Sequence, residues 1–287
     1  MPTLQDLRGL LAGLAVTCFL TPAHAVDPNR NMSQYIHEQW GIERGFPGGT
    51  VHAITQTPDG YLWIGTDKGL VRFDGLTFTL VHRSTPEIFP DNPVLGLTTD
   101  ADGNMWVRMQ SLTVLRYHGG KFENATANIE PHEVGVTVMC RRKDGAIMLS
   151  ALTNGTLVYS HGRLEKFAPA GVLRGSSLVI SMAATQDARI WLGTISTGLF
   201  SVDNGRVTSI VQGLPDKKIN CLLPVGDGTL LVGTDNGVVR WDGIKLTATG
   251  WSPAIGHIQI LSMIEDRESN VWLGTANGLV PGEYSCQ

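Results

Sequence analysis

The side chains in this sequence that could do chemistry are histidines, carboxylates and one unusually placed arginine. They form no Gly-x-Ser-x-Gly elbow, no phosphate-binding glycine loop and no His-Glu-x-x-His helix. Seven histidines follow the predicted leader, without metal-ligand spacing: His37, His52, His82, His118, His132, His161 and His257. The sequence therefore predicts no catalytic residue, no metal and no cofactor, so that an enzyme is not the expected class.

A second set of acidic residues recurs along the chain: Asp59, Asp102, Asp144, Asp187 and Asp227. A ring of carboxylates could serve acid–base catalysis. However, each residue begins an Asp-Gly or Asp-Ala pair, and aspartate at the start of a tight turn hydrogen-bonds to backbone N–H groups. Residues 100–104 partly match a calcium loop but lack its downstream glutamate. We therefore expect turns here.

These acids belong to a repeat that sets the fold class. The pattern Asp-Gly-x-Leu-Trp-Ile-Gly-Thr at residues 59–66 recurs in six copies, with the Trp position at 63, 106, 148, 191, 231 and 272. The steps are 43, 42, 43, 40 and 41 residues. A period of this length, built from short β segments and turns, is typical of a β-propeller. We predict an all-β fold with six four-stranded blades.

Each unit can be divided into strands. The innermost strand begins with an aliphatic residue eight positions before the marker acid, and the Trp lies on the second strand, where it fills the wedge between blades. The sixth unit leaves no room for an outer strand, so an N-terminal strand at Gln34–Trp40 is expected to complete the last blade. Closure of this kind removes free sheet edges.

Composition excludes several functions. The formal net charge of −4 disfavours a nucleic-acid partner, because phosphate binding needs clustered Lys and Arg.

Residues 1–25 resemble a signal peptide ending in an Ala-x-Ala site, residues 26–32 form a linker, and residues 33–287 form the propeller. We expect a periplasmic or secreted protein with no membrane span in the mature chain. Widely spaced cysteines predict no disulfide framework.

Four short motifs together resemble the two-component regulator propeller repeat. They are Gly-Leu-Pro before the inner strand, the eight-residue motif, Gly-Leu and Arg-Phe-Asp-Gly. The resemblance covers about Tyr35 to Tyr284 and implies a sensor region of hybrid histidine kinases and related signalling proteins. Repeats two and three depart from it, with Arg108 replacing glycine and Met148 replacing Trp. The family usually forms seven-bladed rings followed by further signalling domains. The resemblance implies a membrane sensor kinase or another signalling protein as partner.

A propeller binds ligands over its axis, through loops that enter the inner strands and hairpins between second and third strands. Polar residues at these places are the candidate ligand-binding residues: His52, Arg108, His132, Asn220 and His257. Arg108 could reach toward the axis and bind a carboxylate or sulfate; alternatively it pairs with a neighbouring acid.

Two functions remain open. The first is a non-catalytic recognition module for a small molecule, such as a glycan fragment, or for a partner domain. The second is a propeller enzyme, a lyase or glycan-processing hydrolase, with acid and base from different blades. The enzyme predicts a histidine and a carboxylate within about 3 Å of each other over the axis.

Overall fold

The chain folds as a succession of antiparallel β-sheets. The computed structural model describes residues 38–81, 89, 93–127, 135–152, 155–160, 162–168, 178–251, 255, 257–266 and 268–282. Within these ranges the regular structure is β-strand, apart from a short 3-10 helix at Ile42–Arg44. The described residues belong to one compact unit, His37–Gln287, whereas the other unit, Met1–Ile36, lies outside them.

The strands group into six sheets in chain order. Blades 1 to 3 consist of β1 (Val51–Gln56), β2 (Leu62–Thr66), β3 (Gly69–Phe73), β4 (Phe78–Leu80); β5 (Val94–Thr99), β6 (Met105–Met109), β7 (Val114–His118), β8 (Lys121–Asn124); and β9 (Val136–Arg141), β10 (Ile147–Ala151), β11 (Gly155–Ser160), β12 (Arg163–Ala168).

Blades 4 to 6 consist of β13 (Val179–Ala184), β14 (Ile190–Thr194), β15 (Leu199–Asp203), β16 (Arg206–Ile210); β17 (Ile219–Pro224), β18 (Leu230–Thr234), β19 (Gly237–Trp241), β20 (Leu246–Ala248); and β21 (Ile260–Glu265), β22 (Val271–Thr275), β23 (Gly278–Gly282). The fold is thus a six-bladed β-propeller, as the repeat predicts. The sixth sheet has three strands among the described residues.

The predicted closing strand Gln34–Trp40 falls mostly outside the described residues. Its described end, residues 38–40, is not in a strand. Trp40 instead packs edge-on against Phe73 of β3, with ring centroids 5.9 Å apart. Phe46 packs in the same way on Phe78 of β4, at 5.4 Å. The chain therefore enters blade 1 along the outer end of its sheet.

The repeated aromatic residue fills the wedge between neighbouring blades, as expected. Trp63, Trp106 and Trp191 are at most 2% exposed. Trp63 contacts Tyr117 of the next blade, with ring centroids 5.3 Å apart, and Trp191 contacts Trp241 at the same distance. Burial of this size at each wedge is a main source of stability, because an aromatic side chain removes about 150–250 Å² from water.

Each inner strand carries the same irregularity near its beginning. In blade 1, Val51 pairs with Thr66 but Ala53 pairs with Gly65, so that His52 is an extra, unpaired residue. The same shift occurs in all six sheets. A β-bulge of this kind re-aims the extra side chain. The second residue of each inner strand is therefore the one that the fold directs away from the sheet ladder.

The aspartates of the Asp-Gly turns act locally, as the sequence predicts. The carboxylates of Asp144 and Asp227 accept the backbone N–H two residues later, at 3.1 and 2.9 Å. The segment that partly matches a calcium loop is also satisfied internally, because the Asp100 carboxylate accepts the indole N–H of Trp106 at 3.0 Å and the backbone N–H of Asn104. Asp144 and Asp227 therefore stabilise turns, and Asp100 fixes the indole of Trp106.

Candidate functional site

Hairpins and connecting loops meet at one end of the blades. The hairpin between second and third strands bonds to the loop entering an inner strand, as in Asp67 N–H to Thr50 O at 3.2 Å and Gly237 N–H to Ile258 O at 2.9 Å. We call this end the hairpin face. The two loop sets that the sequence selects for binding therefore share a face.

His52, the bulge residue of β1, contacts the hairpin of its own blade. Its Nε2 lies 2.5 Å from Oδ1 of Asp67. Hydrogen bonds from His52 and from Thr50 lower the pKa of the exposed Asp67 carboxyl below its ordinary value. The structure thus places a histidine beside a carboxylate on the hairpin face, within the distance that acid–base chemistry needs.

Asn220 is the corresponding bulge residue of β17, and it makes the corresponding contact. Its Nδ2 donates to Oδ1 of Asp235 at 2.8 Å. Gln259, from the loop entering blade 6, donates to the same oxygen at 2.7 Å, and Lys218 Nζ lies 3.2 Å from Oδ2. The bonds from Asn220 and Gln259 are the main causes that lower the pKa of Asp235. Asp235 thereby links two blades.

His257 contacts the same hairpin through Asn236, the residue after Asp235. Its Nδ1 lies 3.2 Å from Oδ1 of Asn236, and the amide of Asn236 donates to Pro215 O at 3.4 Å. Asn220 and His257 therefore lie around one hairpin, residues 235–236, although they come from different blades. His52 belongs to a separate cluster on blade 1.

Arg108 forms no ion pair with an acid among the described residues. It occupies the position of Gly65 and Gly233 in the repeat, and its side chain lies over Gly96 of the adjacent inner strand. Its Nη2 donates to Leu95 O at 3.4 Å, and no carboxylate within the described residues pairs with it. Burial lowers the pKa of its guanidinium.

Two further features complete the account of the predicted residues. His132 lies outside the described residues, and its place is not assigned. Asp67 and Asp235, which organise the two polar clusters, are not among the binding residues that the sequence predicts. The signal that finds them is a spacing: an acid follows the Gly-Thr of the second strand, fifteen residues after a polar bulge residue, in blades 1 and 5.

Two clefts lie elsewhere, between blades 2 and 3. Cavities of about 550 and 520 Å³ share the lining residues Arg116, Tyr159 and Gly162. Arg116 Nη1 pairs with the Glu123 carboxylate at 3.2 Å, and its guanidinium lies over the ring of Tyr159. Among the described residues, no His, Cys, Asp or Glu group could hold a metal ion, and no helix is long and apolar enough to cross a bilayer.

Comparison with known proteins identifies the repeat. A family model described as "Two component regulator propeller" matches residues 45–68, the first connector, inner strand and Trp strand. The resemblance stated from the sequence is confirmed, because residues 45–68 match the two-component regulator propeller repeat. A comparison with curated protein sequences finds no match.

Solved structures share the fold. The extracellular domain of a putative hybrid two component system from B. thetaiotaomicron is 20% identical with a TM-score of 0.71, covering 86% of this chain and 36% of that one. A second such domain from the same organism is 21% identical with a TM-score of 0.56, covering 85% and 39%. This chain thus spans little more than a third of either relative.

A different class of protein has the same architecture. A catalytically inactive virginiamycin B lyase from Staphylococcus aureus, solved with quinupristin, is 13% identical with a TM-score of 0.61. The alignment covers 83% of this chain and 85% of the lyase. The propeller fold therefore occurs both in extracellular domains of two component systems and in an enzyme, so that the fold alone does not identify the function.

Proposed function

We propose that this protein is an exported, non-catalytic sensory propeller that binds a small anionic molecule, such as an acidic glycan fragment, on its hairpin face. It resembles the periplasmic input region of two-component signalling proteins, and we propose a membrane sensor kinase or a related signalling protein as its partner. The likeness to extracellular domains of two hybrid two component systems supports this class.

The observation that carries the proposal is the environment of Arg108. A guanidinium replaces the glycine of the repeat, is partly removed from water, and donates a hydrogen bond to the carbonyl of Leu95 at 3.4 Å. A partly desolvated cation without an acid nearby favours an anionic ligand, because charge-assisted bidentate bonds to carboxylate or sulfate offset the cost of burial. The alternative, pairing with a neighbouring acid, finds no support among the described residues.

The polar clusters supply the rest of the site. His52 and Lys68 on blade 1 and Lys218, Asn220 and His257 on blades 5 and 6 offer hydrogen-bond donors along the same face. Asp67 and Asp235 hold several of these donors in place through bonds of 2.5 to 3.2 Å. Donors fixed in this way suit hydroxyl and carboxylate groups of a sugar acid.

The test is ligand-induced thermal stabilisation of the mature chain against a panel of uronate and sulfated oligosaccharides. Arg108→Gly restores the residue of the repeat and should preserve folding while weakening binding by about tenfold or more. Arg206→Ala, at an exposed position on an outer strand, is the matched control and should leave binding unchanged. Binding that ignores Arg108→Gly would overturn the proposal.

A second candidate, a lyase, is supported by the His52–Asp67 pair at 2.5 Å and by the propeller fold of virginiamycin B lyase. Against it, the equivalent pair in blade 5 has the same geometry with Asn220, whose amide cannot transfer a proton. The geometry of blade 1 is therefore available without catalysis. Chromatography of quinupristin incubated with the protein tests this candidate: conversion that is lost in His52→Asn would favour the lyase, and unchanged quinupristin would favour recognition.

A further inference from the structure

Blade 4 carries apolar side chains at the positions where blades 1 and 5 carry their polar clusters. Three positions of each blade matter: the connector residue before the inner strand, the bulge residue and the first residue of the hairpin. In blade 5 hydrogen bonds join these three side chains. In blade 4 they are Leu178, Ile180 and Ile195, and the N–H of Ile195 donates to Leu178 O at 3.0 Å. Leu178 and Ile195 are each 44% exposed.

The apolar surface continues from blade 4 to blades 3 and 2. Leu152, the first hairpin residue of blade 3, is 54% exposed, and its N–H donates to Gly135 O at 2.9 Å. A Cβ added to Gly135 would lie 3.0 Å from a methyl of Leu152 and 3.0 Å from a methyl of Leu112 in the hairpin of blade 2. Leucines of two neighbouring blades therefore meet over a connector residue that has no side chain. We call the following residues the apolar patch: Leu112, Leu152, Leu178, Ile180 and Ile195.

Leu112 holds its place in the apolar patch in a strained backbone conformation. Its φ is 67°, in the left-handed region that side chains rarely adopt. Two backbone hydrogen bonds fix it there, from its own N–H to Met109 O at 3.1 Å and from the N–H of Val136 to its carbonyl at 2.8 Å. Strained residues concentrate at binding sites, where the side chain has a use on the surface. A leucine in a position that glycine would occupy without strain favours such a use here.

Arg108 borders the apolar patch. A Cβ added to Gly96 would lie 3.4 Å from Nε of Arg108 and 3.6 Å from the terminal methyl of Met139 in blade 3. The guanidinium therefore lies at the boundary of blades 2 and 3, the same boundary that Leu112 and Leu152 line at the hairpins. A cation beside apolar side chains, in a place partly removed from water, is complementary to an acid that carries an apolar substituent.

The exposed part of the apolar patch is small. Three residues that are about half exposed offer on the order of 300 Å² of apolar surface, whereas each partner of a stable protein interface buries about 800 Å². An area of this size matches the chain of a small molecule better than the surface of a second protein.

From this juxtaposition we propose that the ligand is an anionic amphiphile. Its carboxylate or sulfate binds Arg108, and its alkyl or acyl chain lies on the apolar patch. The inference rests on the proposed function and narrows it, from small anionic molecules to those that carry an apolar chain. Methylene groups that leave water on Leu152 and Ile195 supply affinity that a short acid lacks.

The test compares matched probes by isothermal titration calorimetry, below their micelle concentrations. Methyl and octyl β-D-glucuronide share the acid and differ in chain length, whereas octyl β-D-glucoside has the chain without the acid. Octyl glucuronide should bind about tenfold or more tightly than either of the others, because it alone uses both parts of the site. Its binding should also show a more negative heat-capacity change than that of methyl glucuronide, since apolar surface is buried.

Variants separate the two parts of the site. Ile195→Ser should weaken octyl glucuronide by about fivefold or more and leave methyl glucuronide unchanged. Ile244→Ser is the matched control: this residue is 85% exposed in the turn between β19 and β20, at the end of blade 5 opposite its hairpin, and its loss should change neither affinity. Arg108→Gly should weaken both glucuronides by the same factor, because they share the acid.

Leu112→Gly gives a result that a purely structural role would not. Glycine relieves the strain at this position, so the midpoint of thermal unfolding should rise. The affinity for octyl glucuronide should nevertheless fall, because the apolar patch loses a side chain. A side chain that served stability alone would lower the unfolding midpoint when removed and leave the affinity for octyl glucuronide unchanged.

Several outcomes contradict the inference. Equal affinities for methyl and octyl glucuronide, both weakened by Arg108→Gly, would overturn it and leave the proposed function intact. Absence of binding by all three probes would do the same if the uronate and sulfate panel still stabilised the chain. Equal binding of octyl glucoside and octyl glucuronide, unaffected by Arg108→Gly, would overturn both proposals. A dimer that Ile195→Ser abolishes, without any chain-length effect, would mean that a second copy covers the patch.

Discussion

Single residues depart from the repeat at the turn between the first and second strands. The turn between first and second strands has glycine with positive φ at Gly60, Gly103, Gly145 and Gly228, between 80 and 90°. Ala188 and Ser269 take the same position in blades 4 and 6, with φ of 64 and 65°. A side chain in this left-handed region costs about 1–2 kcal/mol. Two blades thus keep a strained turn.

Relief of that strain is a measurable prediction. Ala188→Gly should raise the free energy of unfolding by about 1 kcal/mol, because glycine adopts the left-handed conformation without strain. Gly228→Ala is the mirror experiment, since nothing lies within 4 Å of its added Cβ, and it should lower stability by a similar amount. Urea denaturation measures both. Equal stability of the two variants and the parent would contradict the assignment of strain.

The tryptophans show a second rule at this scale. The indole N–H of Trp63 donates to Thr57 at 2.9 Å, and that of Trp191 donates to Thr185 at 3.1 Å, in each case to a side chain six residues earlier. The carboxylates of Asp100 and Asp266 accept the indole N–H of Trp106 and Trp272 in the same way. Where the tryptophan is replaced by Met148 or Leu231, the acceptor position holds Arg142 or Val225. The hydrogen-bond acceptor therefore accompanies the indole.

Removing one acceptor should be costly. Thr185→Val keeps the shape of the side chain but leaves the buried indole N–H of Trp191 unpaired, which costs about 1–3 kcal/mol. Thr208→Val, on the exposed outer strand β16, is the matched control and should change stability by less than about 0.5 kcal/mol. Thermal or urea unfolding compares the two. A loss at Thr185→Val no greater than at Thr208→Val would show that the bond adds nothing.

At the scale of elements, the bulge of the inner strand and the following hairpin act together. The bulge turns His52 or Asn220 out of the ladder, and the acid at the hairpin, Asp67 or Asp235, binds that side chain. The other blades have Leu95, Thr137, Ile180 and Leu261 at the bulge position. The hairpin face is therefore polar on blades 1 and 5 and largely apolar at the bulges between them.

The lowered pKa of Asp235 gives a pH dependence with a definite sign. A carboxylate whose folded pKa lies below its ordinary value of 3.8 stabilises the fold above that pH, and this contribution is lost as the pH falls through the folded pKa. Asp235→Asn should therefore lower the urea midpoint at neutral pH, with a smaller difference near about pH 3. Asp203→Asn, at the exposed end of β15, is the control. A difference that grows with acidification would contradict the sign.

The strands and turns were predictable because the same sequence pattern occurs in each of the six repeats. Six copies of one motif identify the strands, the turns and the wedge-filling Trp without any tertiary information. The polar clusters were less predictable, because they join side chains from connectors and hairpins of different blades, as with Gln259 and Asp235. Arg108 was recognised as an exception to the repeat, but the absence of an acid near it required coordinates. The same holds for the exposure of Val51, since no local pattern distinguishes it from the buried Val94.

The whole molecule combines two surfaces with different properties. The hairpin face carries fixed polar groups and Arg108, whereas blades 1 and 6 each expose an apolar face, with Val51 and Leu279 about half exposed. Most of the wheel is held by repeated inter-blade cores, and among the described residues blades 1 and 6 each share such a core with one neighbour. Local opening is therefore expected to begin at blades 1 and 6, because they bury the least apolar surface on one face.

The central claim is that the six repeats circle a common axis, and distances between spin labels at equivalent turn positions test it directly. Labels at Asp59→Cys paired with Asp102→Cys, Asp187→Cys or Glu268→Cys report on neighbouring, opposite and last blades. A wheel predicts that the separation between positions 59 and 268 is shorter than that between 59 and 187. A separation that increases steadily from the second blade to the sixth would contradict the wheel and, with it, the shared hairpin face.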